Sequence, residues 1–280
     1  MDEVPAVEPS LSAVPVDSDV IRGPLPPGTV PLVPGDPARV GEYRLLARFS
    51  SGDSGSVYLA APRLHAQRQS SALAVLKLAH ARPAGGNRVR RNFADAAGAR
   101  MPTPYVAKIL CRGSHDGVAY LVREYVDGMT LAQLVEEDGR LDPVTLNAVA
   151  VATASAILAI HDAGETHGNL KPTNVLVTLA GVRLLDHCLG RQSGQPRADT
   201  ATDVLGWGRL VAFAGTGHYL ATPAAEASLD VAVLDKPIGP LVERALITER
   251  ELRPSARALL LGMVSPVEAG GTGARWRRKN

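Results

Sequence analysis

The chain is poor in the residue types that stabilise small secreted proteins or bind nucleic acids. It has two cysteines, Cys111 and Cys188, in 280 residues. These are too few for a disulfide framework and lack metal-ligand spacing, which favours a reducing cytoplasm. Aromatic residues make up only 4%, which argues against a stacking surface for single-stranded nucleic acid. The formal net charge of +2 points to no particular partner.

Targeting signals are also missing from the sequence. The N-terminus carries Asp2 and Glu3 where a signal peptide carries positive charge. No apolar stretch reads as long enough to span a bilayer. We therefore expect a cytoplasmic protein. Since 45% of the residues are hydrophobic and 21% are charged, the chain is able to bury a globular core.

Both ends of the chain differ in composition from its middle. Residues 1–38 are rich in proline and acidic groups, which predicts a disordered tail. Within it, Pro24-Leu25-Pro26-Pro27 is either a polyproline ligand or a plain linker. Residues 266–280 form an expected flexible basic tail that includes Arg275-Trp276-Arg277-Arg278-Lys279. This tail either contacts a membrane surface or is a solvated charge run.

Between the tails, strand-like patterns come first and helical patterns come second. Alternation predicts strands over residues 43–49, 56–60, 73–78 and 118–126, and a hairpin over 175–177 and 182–185. Helical spacing predicts helices over residues 88–100, over 141–163 and in several pieces between 203 and 263. The expected fold is α+β, with a small antiparallel sheet and one helix over residues 39–126 and a mainly helical part over 127–265.

Four short motifs occur in a fixed order along this pattern. Gly52-x-x-Gly55 with Val57 is weak alone, but Ala74-Val75-Leu76-Lys77 comes next on the third strand. His167-Gly168-Asn169-Leu170-Lys171-Pro172-Thr173-Asn174 then precedes the hairpin that ends in Asp186-His187-Cys188. Over residues 42–263 this series resembles bacterial, actinobacterial-type serine/threonine protein kinases. Three further segments support the resemblance: Glu124-Tyr125-Val126-Asp127-Gly128, Asp203-Val204-Leu205-Gly206 and Arg253-Pro254.

The resemblance implies roles for particular residues, with ATP and Mg²⁺ as cofactors. Lys77 would reach the phosphates, Lys171 would meet the transferred phosphoryl group, and Asn174 and Asp186 would hold magnesium. The other residues that it implies for nucleotide binding are Gly52, Gly55, Val57, Glu124 and Val126.

Several positions depart from the kinase pattern. Asn169 stands where the family has its aspartate base, and an amide cannot accept a proton from a hydroxyl. Ser50 replaces the first glycine of the nucleotide loop. Ala94 stands where Lys77 should find a glutamate, and Asp95 is one place round the helix. His187 and Cys188 replace the Phe and Gly of D-F-G. The stretch 189–202 is short and has no A-P-E sequence, so Arg253 would lack its usual glutamate partner.

Arg123 falls just before the segment that resembles the kinase hinge. A guanidinium at the back of an adenine pocket is costly to bury unless it is paired. One interpretation is that Arg123 fills the pocket and pairs with Asp186 or Asp95. The other is that its side chain points outward, or that the assumed register is off by one.

These departures predict a pseudokinase that binds and regulates a protein partner, either an active kinase or a cell-envelope protein. The alternative is a weak serine/threonine kinase, because Lys77, Lys171, Asn174 and Asp186 are retained. A small-molecule phosphotransferase ranks last: His167-Gly168-Asn169 is similar to its H-G-D loop, but that loop requires an aspartate at position 169.

Overall fold

The computed structural model describes residues 24–52, 55–63, 73–79, 104–186, 199–220 and 228–264. The chain divides into a sheet unit, which runs to residue 98 and includes residues 107–127, and a helical unit of residues 99–106 and 128 onward. The architecture is the predicted α+β fold. The predicted helix over residues 88–100, with Ala94 and Asp95, lies outside the described residues.

The sheet unit is built on a six-stranded antiparallel sheet with the strand order β1-β2-β3-β4-β6-β5. Its strands are β1 (Arg39–Val40), β2 (Tyr43–Gly52), β3 (Gly55–Pro62), β4 (Ala74–Leu78), β5 (Ile109–His115) and β6 (Val118–Glu124). Sequence patterns located β2, β3, β4 and β6 but missed β5. Its exposed and half-buried residues give no buried alternation.

The side chains of β3 and β4 alternate between two faces of the sheet. Tyr58, Leu76 and Val122 belong to one buried cluster and define what we term the tyrosine face. Val57, Leu59 and Lys77 project to the opposite side, which we term the lysine face. The two faces therefore have different chemistry, since Lys77 lies on the lysine face and the Tyr58 cluster lies on the other.

Residues 24–40 form an ordered N-terminal strap on this sheet, so the expected disorder does not extend to residues 24–38. Val30 forms a bridge with Arg48 of β2, and β1 pairs with the start of β2. Leu32 and Leu25 pack against buried clusters. Composition suggested too little apolar area to offset the ordering entropy, but the strap places its few apolar side chains on surfaces that the sheet provides.

The helical unit contains a central helix that is buried along most of one side. Its helices are α1 (Leu131–Asp138), α2 (Pro143–Asp162), α3 (Thr200–Thr216), α4 (Ile238–Ala245) and α5 (Ala256–Val264). Ile157 and Ile160 of α2 are fully buried, and the indole of Trp207 on α3 donates to the Ala150 carbonyl at 3.0 Å. These contacts fix α3 against α2.

Helix α2 is long and apolar enough, by length and composition, to cross a membrane, which sequence inspection had not recognised. Eight of its side chains are buried in the helical unit. Its hydropathy is thus what a buried core helix requires, and one such helix is weak evidence for a membrane span.

A small three-stranded sheet, β7 (Met129–Thr130), β8 (Val175–Thr178) and β9 (Gly181–Leu184), completes the described helical unit. The predicted hairpin corresponds to β8 and β9. Helix α1, which sequence patterns missed, begins with a capping box in which Thr130 and Gln133 bond each other's backbone. Asn174 lies just before this hairpin, and Asp186 lies shortly after it.

Candidate functional site

The two motif glycines have different structural reasons to be glycine. Gly52 and Gly55 face each other at the end of the β2–β3 hairpin. Gly55 has a φ of +137°, and a Cβ there would clash with the carbonyl oxygen of Leu78. A Cβ on Gly52 would meet nothing within 4 Å. The fold itself therefore requires glycine at 55, whereas the space beside Gly52 is open to a close ligand such as a phosphate.

Ser50, at the position of the missing first glycine, is an exposed residue within β2. Its Cα partner is Val57, and a register shift separates it from Arg48. Ser51 and Ser56 share a hydrogen bond of 2.9 Å between their hydroxyl oxygens. The hairpin thus accommodates serines at its base, although the side chain of Ser50 restricts how closely a ligand approaches the backbone there.

The lysine face brings Lys77, Val57 and Arg123 together. Lys77 lies opposite Val57 on β3 and Leu121 on β6, while Val75 lies opposite Arg123. Arg123 is therefore a diagonal cross-strand neighbour of Lys77 on the same face. Its pairing stays a prediction, since Asp95 lies outside the described residues and Asp186 belongs to the helical unit.

The hinge-like segment begins at the end of β6. The N–H of Glu124 donates to the carbonyl of Lys108 at 2.9 Å, and its Oε1 accepts from the N–H of Lys108 at 3.0 Å. The Glu124 side chain is thus used to hold the strand end. Val126 is half-buried in the extended stretch after β6.

In the helical unit, the loop of residues 166–174, which carries the motif from His167 to Asn174, is organised around the buried carboxylate of Asp203. Asp203 is 1% exposed and accepts from the backbone N–H groups of His167 and Gly168, both at 2.8 Å, while Nε2 of His161 lies 3.0 Å from its Oδ2. Burial alone would raise the pKa of Asp203. The hydrogen bonds from His161 and Gly168 and the interactions with His167 outweigh burial and lower it.

His167 is fully buried and links three parts of the loop. Its Nε2 donates to the Leu185 carbonyl at 3.0 Å, and its Nδ1 accepts from the N–H of Asn169 at 3.2 Å. This pattern needs a neutral ring with its proton on Nε2. Burial lowers the pKa of His167, against the opposing effects of Asp203, Asp186 and the Leu185 carbonyl. A structural role, as the resemblance implies for this position, fits these contacts.

The backbone of Asn169 is held at both of its polar groups. Besides the bond to His167, its carbonyl accepts from Nδ2 of Asn174 at 2.8 Å. The residue at the base position is therefore fixed by the loop and is half-buried. Lys171, two residues on, is exposed.

Asn174 and Asp186 supply oxygen atoms of the kind that magnesium prefers. The Asn174 side chain is 5% exposed, and its bond to Asn169 uses the amide NH₂, which leaves Oδ1 as the acceptor. The N–H of Leu185 donates to the Asn174 carbonyl at 2.8 Å, which brings the chain at Asp186 beside Asn174. Asp186 has a φ of +57°, a left-handed conformation that aspartate tolerates.

This donor chemistry fits a divalent cation bound together with a phosphate ligand. Within the residues that the structure describes, no group of three or more His, Cys, Asp and Glu side chains comes together. A metal held here would therefore take its remaining ligands from water and phosphate, as Mg²⁺ commonly does.

In the described residues, the partners of Arg253 are backbone carbonyls and not a glutamate. Its guanidinium donates to three backbone carbonyls, those of Ile247 at 2.8 Å, Ala201 at 3.1 Å and Thr248 at 3.2 Å. Ala201 lies in the first turn of α3. The arginine thus ties α3 to the segment after α4. The departures at His187 and Cys188 and the stretch 189–198 lie outside the described residues.

His161 is the site residue whose role the sequence did not reveal. Sequence inspection placed it only at the end of the long helix, but the structure shows its ring against Asp203. Asp203 was singled out only as part of a segment that supports the resemblance, and nothing in the sequence joins residues 42 positions apart. A buried carboxylate needs donors, which is the physical signal that could have prompted a search for one.

Comparisons with known proteins identify the family of this chain. A family profile described as "Protein kinase domain" matches residues 43–225, more than half of the chain. The chain belongs to the protein kinase family. The serine/threonine-protein kinase AfsK of Streptomyces coelicolor is 26% identical over 86% of this chain and 34% of its own length. The probable serine/threonine-protein kinase PkwA of Thermomonospora curvata is 28% identical over 67% of this chain and 28% of its own length.

Among solved structures, Rad53 residues 1–466 in complex with AMP-PNP matches with a TM-score of 0.63 at 18% identity. The match covers 79% of this chain and 64% of that chain. At this identity the likeness shows the fold alone. The chain spans about a third or less of the two bacterial relatives named above.

The two glycines predict effects of very different size for the same substitution. Gly55→Ala combines a strained φ with a backbone clash, so we expect a loss of at least about 1–3 kcal/mol in the free energy of unfolding. Gly52→Ala should change it by less than about 0.5 kcal/mol, as is usual for an exposed site. Denaturant unfolding of both variants measures this, and equal effects would contradict the assignment of Gly55 as the structural glycine.

His167 predicts a loss of stability under mild acid. Its folded-state pKa lies below the ordinary 6.5, so its contribution is complete above about pH 6.5 and declines below it, because the unfolded chain binds the proton more readily. A proton on Nδ1 would also break the bond from Asn169. The free energy of unfolding should therefore fall between pH 7.5 and 5.5. His167→Gln should flatten this fall and His218→Gln, an exposed control in the same unit, should not; equal slopes would refute it.

Proposed function

We propose that this kinase-family domain is a pseudokinase, a catalytically deficient module that regulates or scaffolds a protein partner. The observation that carries the proposal is Asn169, which stands at the base position of a loop that is otherwise fully built. Asp203, His167 and Asn174 hold its backbone through the bonds described above. The deficiency therefore lies in the side chain at 169 and not in a collapsed loop.

The chemistry lost at position 169 is large but not total. An amide orients a hydroxyl but does not take its proton, and loss of a general base typically costs about 10²–10⁴ in rate. Ser50 adds to the deficit by hindering backbone approach to phosphates. The absence of an A-P-E sequence removes the platform on which the family presents a peptide.

We propose in addition that the domain retains ATP and Mg²⁺ binding. The open space beside Gly52, Lys77 on the lysine face, and the oxygens of Asn174 and Asp186 support it. When bound, the metal would neutralise phosphate charge. The nucleotide then serves as a ligand that stabilises one state of the domain for its partner, an active kinase or a cell-envelope protein, in the cytoplasm.

A weak serine/threonine kinase is the second candidate. The intact hydrogen bonding of the loop and the retained Lys77, Lys171, Asn174 and Asp186 favour it. Nucleotide binding and phosphoryl transfer must therefore be measured separately.

We expect ATP with Mg²⁺ to raise the melting temperature of the full chain. At a hundredfold excess over the dissociation constant, binding stabilises the folded state by about 2.7 kcal/mol, and Lys77→Met should reduce the shift. If the parent chain shows no shift but Arg123→Leu does, the guanidinium blocks the nucleotide site. That result would remove the nucleotide part of the proposal.

We expect no phosphate incorporation from labelled ATP into a general protein substrate, or into the chain itself, above a Lys77→Met control. Clear incorporation that Lys77→Met abolishes would establish the weak kinase instead. Asn169→Asp is the informative companion: activity gained by this single change would show that the loop is competent and that the missing base explains the deficiency.

A further inference from the structure

The N-terminal strap, residues 24–40, contacts the sheet on both faces and along its edge. Leu32 and Val40 join the cluster of the tyrosine face. Leu25 packs with the cluster that contains Leu59, on the lysine face. Val30 lies between them in sequence and bridges Arg48 of β2, beyond the short stretch that pairs with β1. The strap therefore wraps around β2, the strand that leads into Gly52.

Its strongest attachment is to Arg48. The N–H of Val30 donates to the Arg48 carbonyl and the N–H of Arg48 donates to the Val30 carbonyl, both at 2.8 Å. Nη1 of Arg48 also lies 3.4 Å from Oδ1 of Asp36. Closer to the start of β2, the N–H of Leu45 donates to the Ala38 carbonyl at 3.0 Å.

The buried side chain of Asp36 links the strap to the sheet. Its side chain is 7% exposed, and it accepts from the hydroxyl of Tyr58 and from the N–H of Val33, both at 2.8 Å. Burial raises the pKa of Tyr58, an effect that Asp36 reinforces, so the phenol keeps its proton and remains the donor. A buried carboxylate with three donors is costly to displace.

The attachment lies where β2 changes course. The register of β2 against β3 shifts between Arg48 and Ser50, immediately before Ser50, Ser51 and Gly52. Phe49, inside this irregularity, packs in the same cluster as Leu25. Such bulges bend a strand and redirect the residues beyond the bend. The strap thus holds β2 at Arg48, just before this bend, and at Phe49 within it, next to the glycine hairpin.

We infer that the N-terminal strap is a positioning element for the glycine hairpin, with Asp36 and Leu25 as its positioning residues. It lies outside residues 43–225, which match the kinase family, so the nucleotide-binding unit of this chain begins at least as early as residue 24. Its consequence for ATP affinity rests on the proposed function, whereas its effect on the hairpin does not.

Hydrogen exchange of the full chain without nucleotide tests this inference. The amides of Leu45 and Arg48 report directly on docking of the strap, and those of Ser50, Ser51 and Gly52 report on the hairpin. In an Asp36→Asn/Leu25→Ala double variant we expect both groups to exchange at least about tenfold faster, as local opening does. Faster exchange at Leu45 and Arg48 with unchanged exchange at Ser50–Gly52 would overturn the inference, as would no change at either.

Two controls separate positioning from general loss of stability. Glu42→Gln changes an exposed carboxylate in the same unit and should alter neither group. Val122→Ala weakens the tyrosine-face core without touching the strap's hydrogen bonds, so it should not accelerate the two groups selectively. If the double variant unfolds the sheet unit, the single Leu25→Ala variant replaces it. The exchange rates of Leu45 and Arg48 are then compared with those of Ser50–Gly52 in that variant, with the same criteria.

Where the parent chain shows the ATP-induced shift, the double variant should bind ATP at least about tenfold more weakly, which corresponds to about 1.4 kcal/mol. Equal affinity would overturn the link to nucleotide binding. If the parent shows no shift, the proposed nucleotide function fails, and the exchange experiment still decides whether the strap positions the hairpin.

Discussion

The described helical unit depends on one buried charge, the carboxylate of Asp203. Three donors converge on it, the backbone N–H groups of His167 and Gly168 and the ring of His161 at the end of α2. A carboxylate in such a place is stable only if each donor is present. The requirement therefore fixes α2, α3 and the loop relative to each other within the unit, and the position of Asn169 is set by it.

This dependence explains how the loop can hold its shape independently of the side chain at position 169. His167 and Asn174 hold Asn169 by its backbone N–H and carbonyl, and neither bond uses the Asn169 side chain. Exchange of aspartate for asparagine at 169 therefore leaves those two bonds intact. Arg253 shows the same separation, since three carbonyls satisfy its guanidinium. At position 169 the backbone atoms maintain the structure of the loop, whereas the side chain determines its chemistry.

The fold and the motif positions could be predicted because they rest on local pattern and spacing. Alternation located β3 and β4 with Lys77, and the motif before the hairpin located Asn174 and Asp186. The strap was missed because composition averages over residues 1–38 and hides the buried Asp36. The His161–Asp203 contact was missed because it joins distant positions. Gly52 and Gly55 look alike in sequence, and only the backbone of Leu78 distinguishes them.

The two units retain their kinase features for different reasons. In the helical unit, His167 and Asp203 are needed for packing, so their presence says little about catalysis. In the sheet unit, a Cβ on Gly52 would meet nothing within 4 Å, so the packing around this position does not require glycine. Retained chemistry must therefore be read from ligand binding and phosphoryl transfer, and not from the shape of the helical unit.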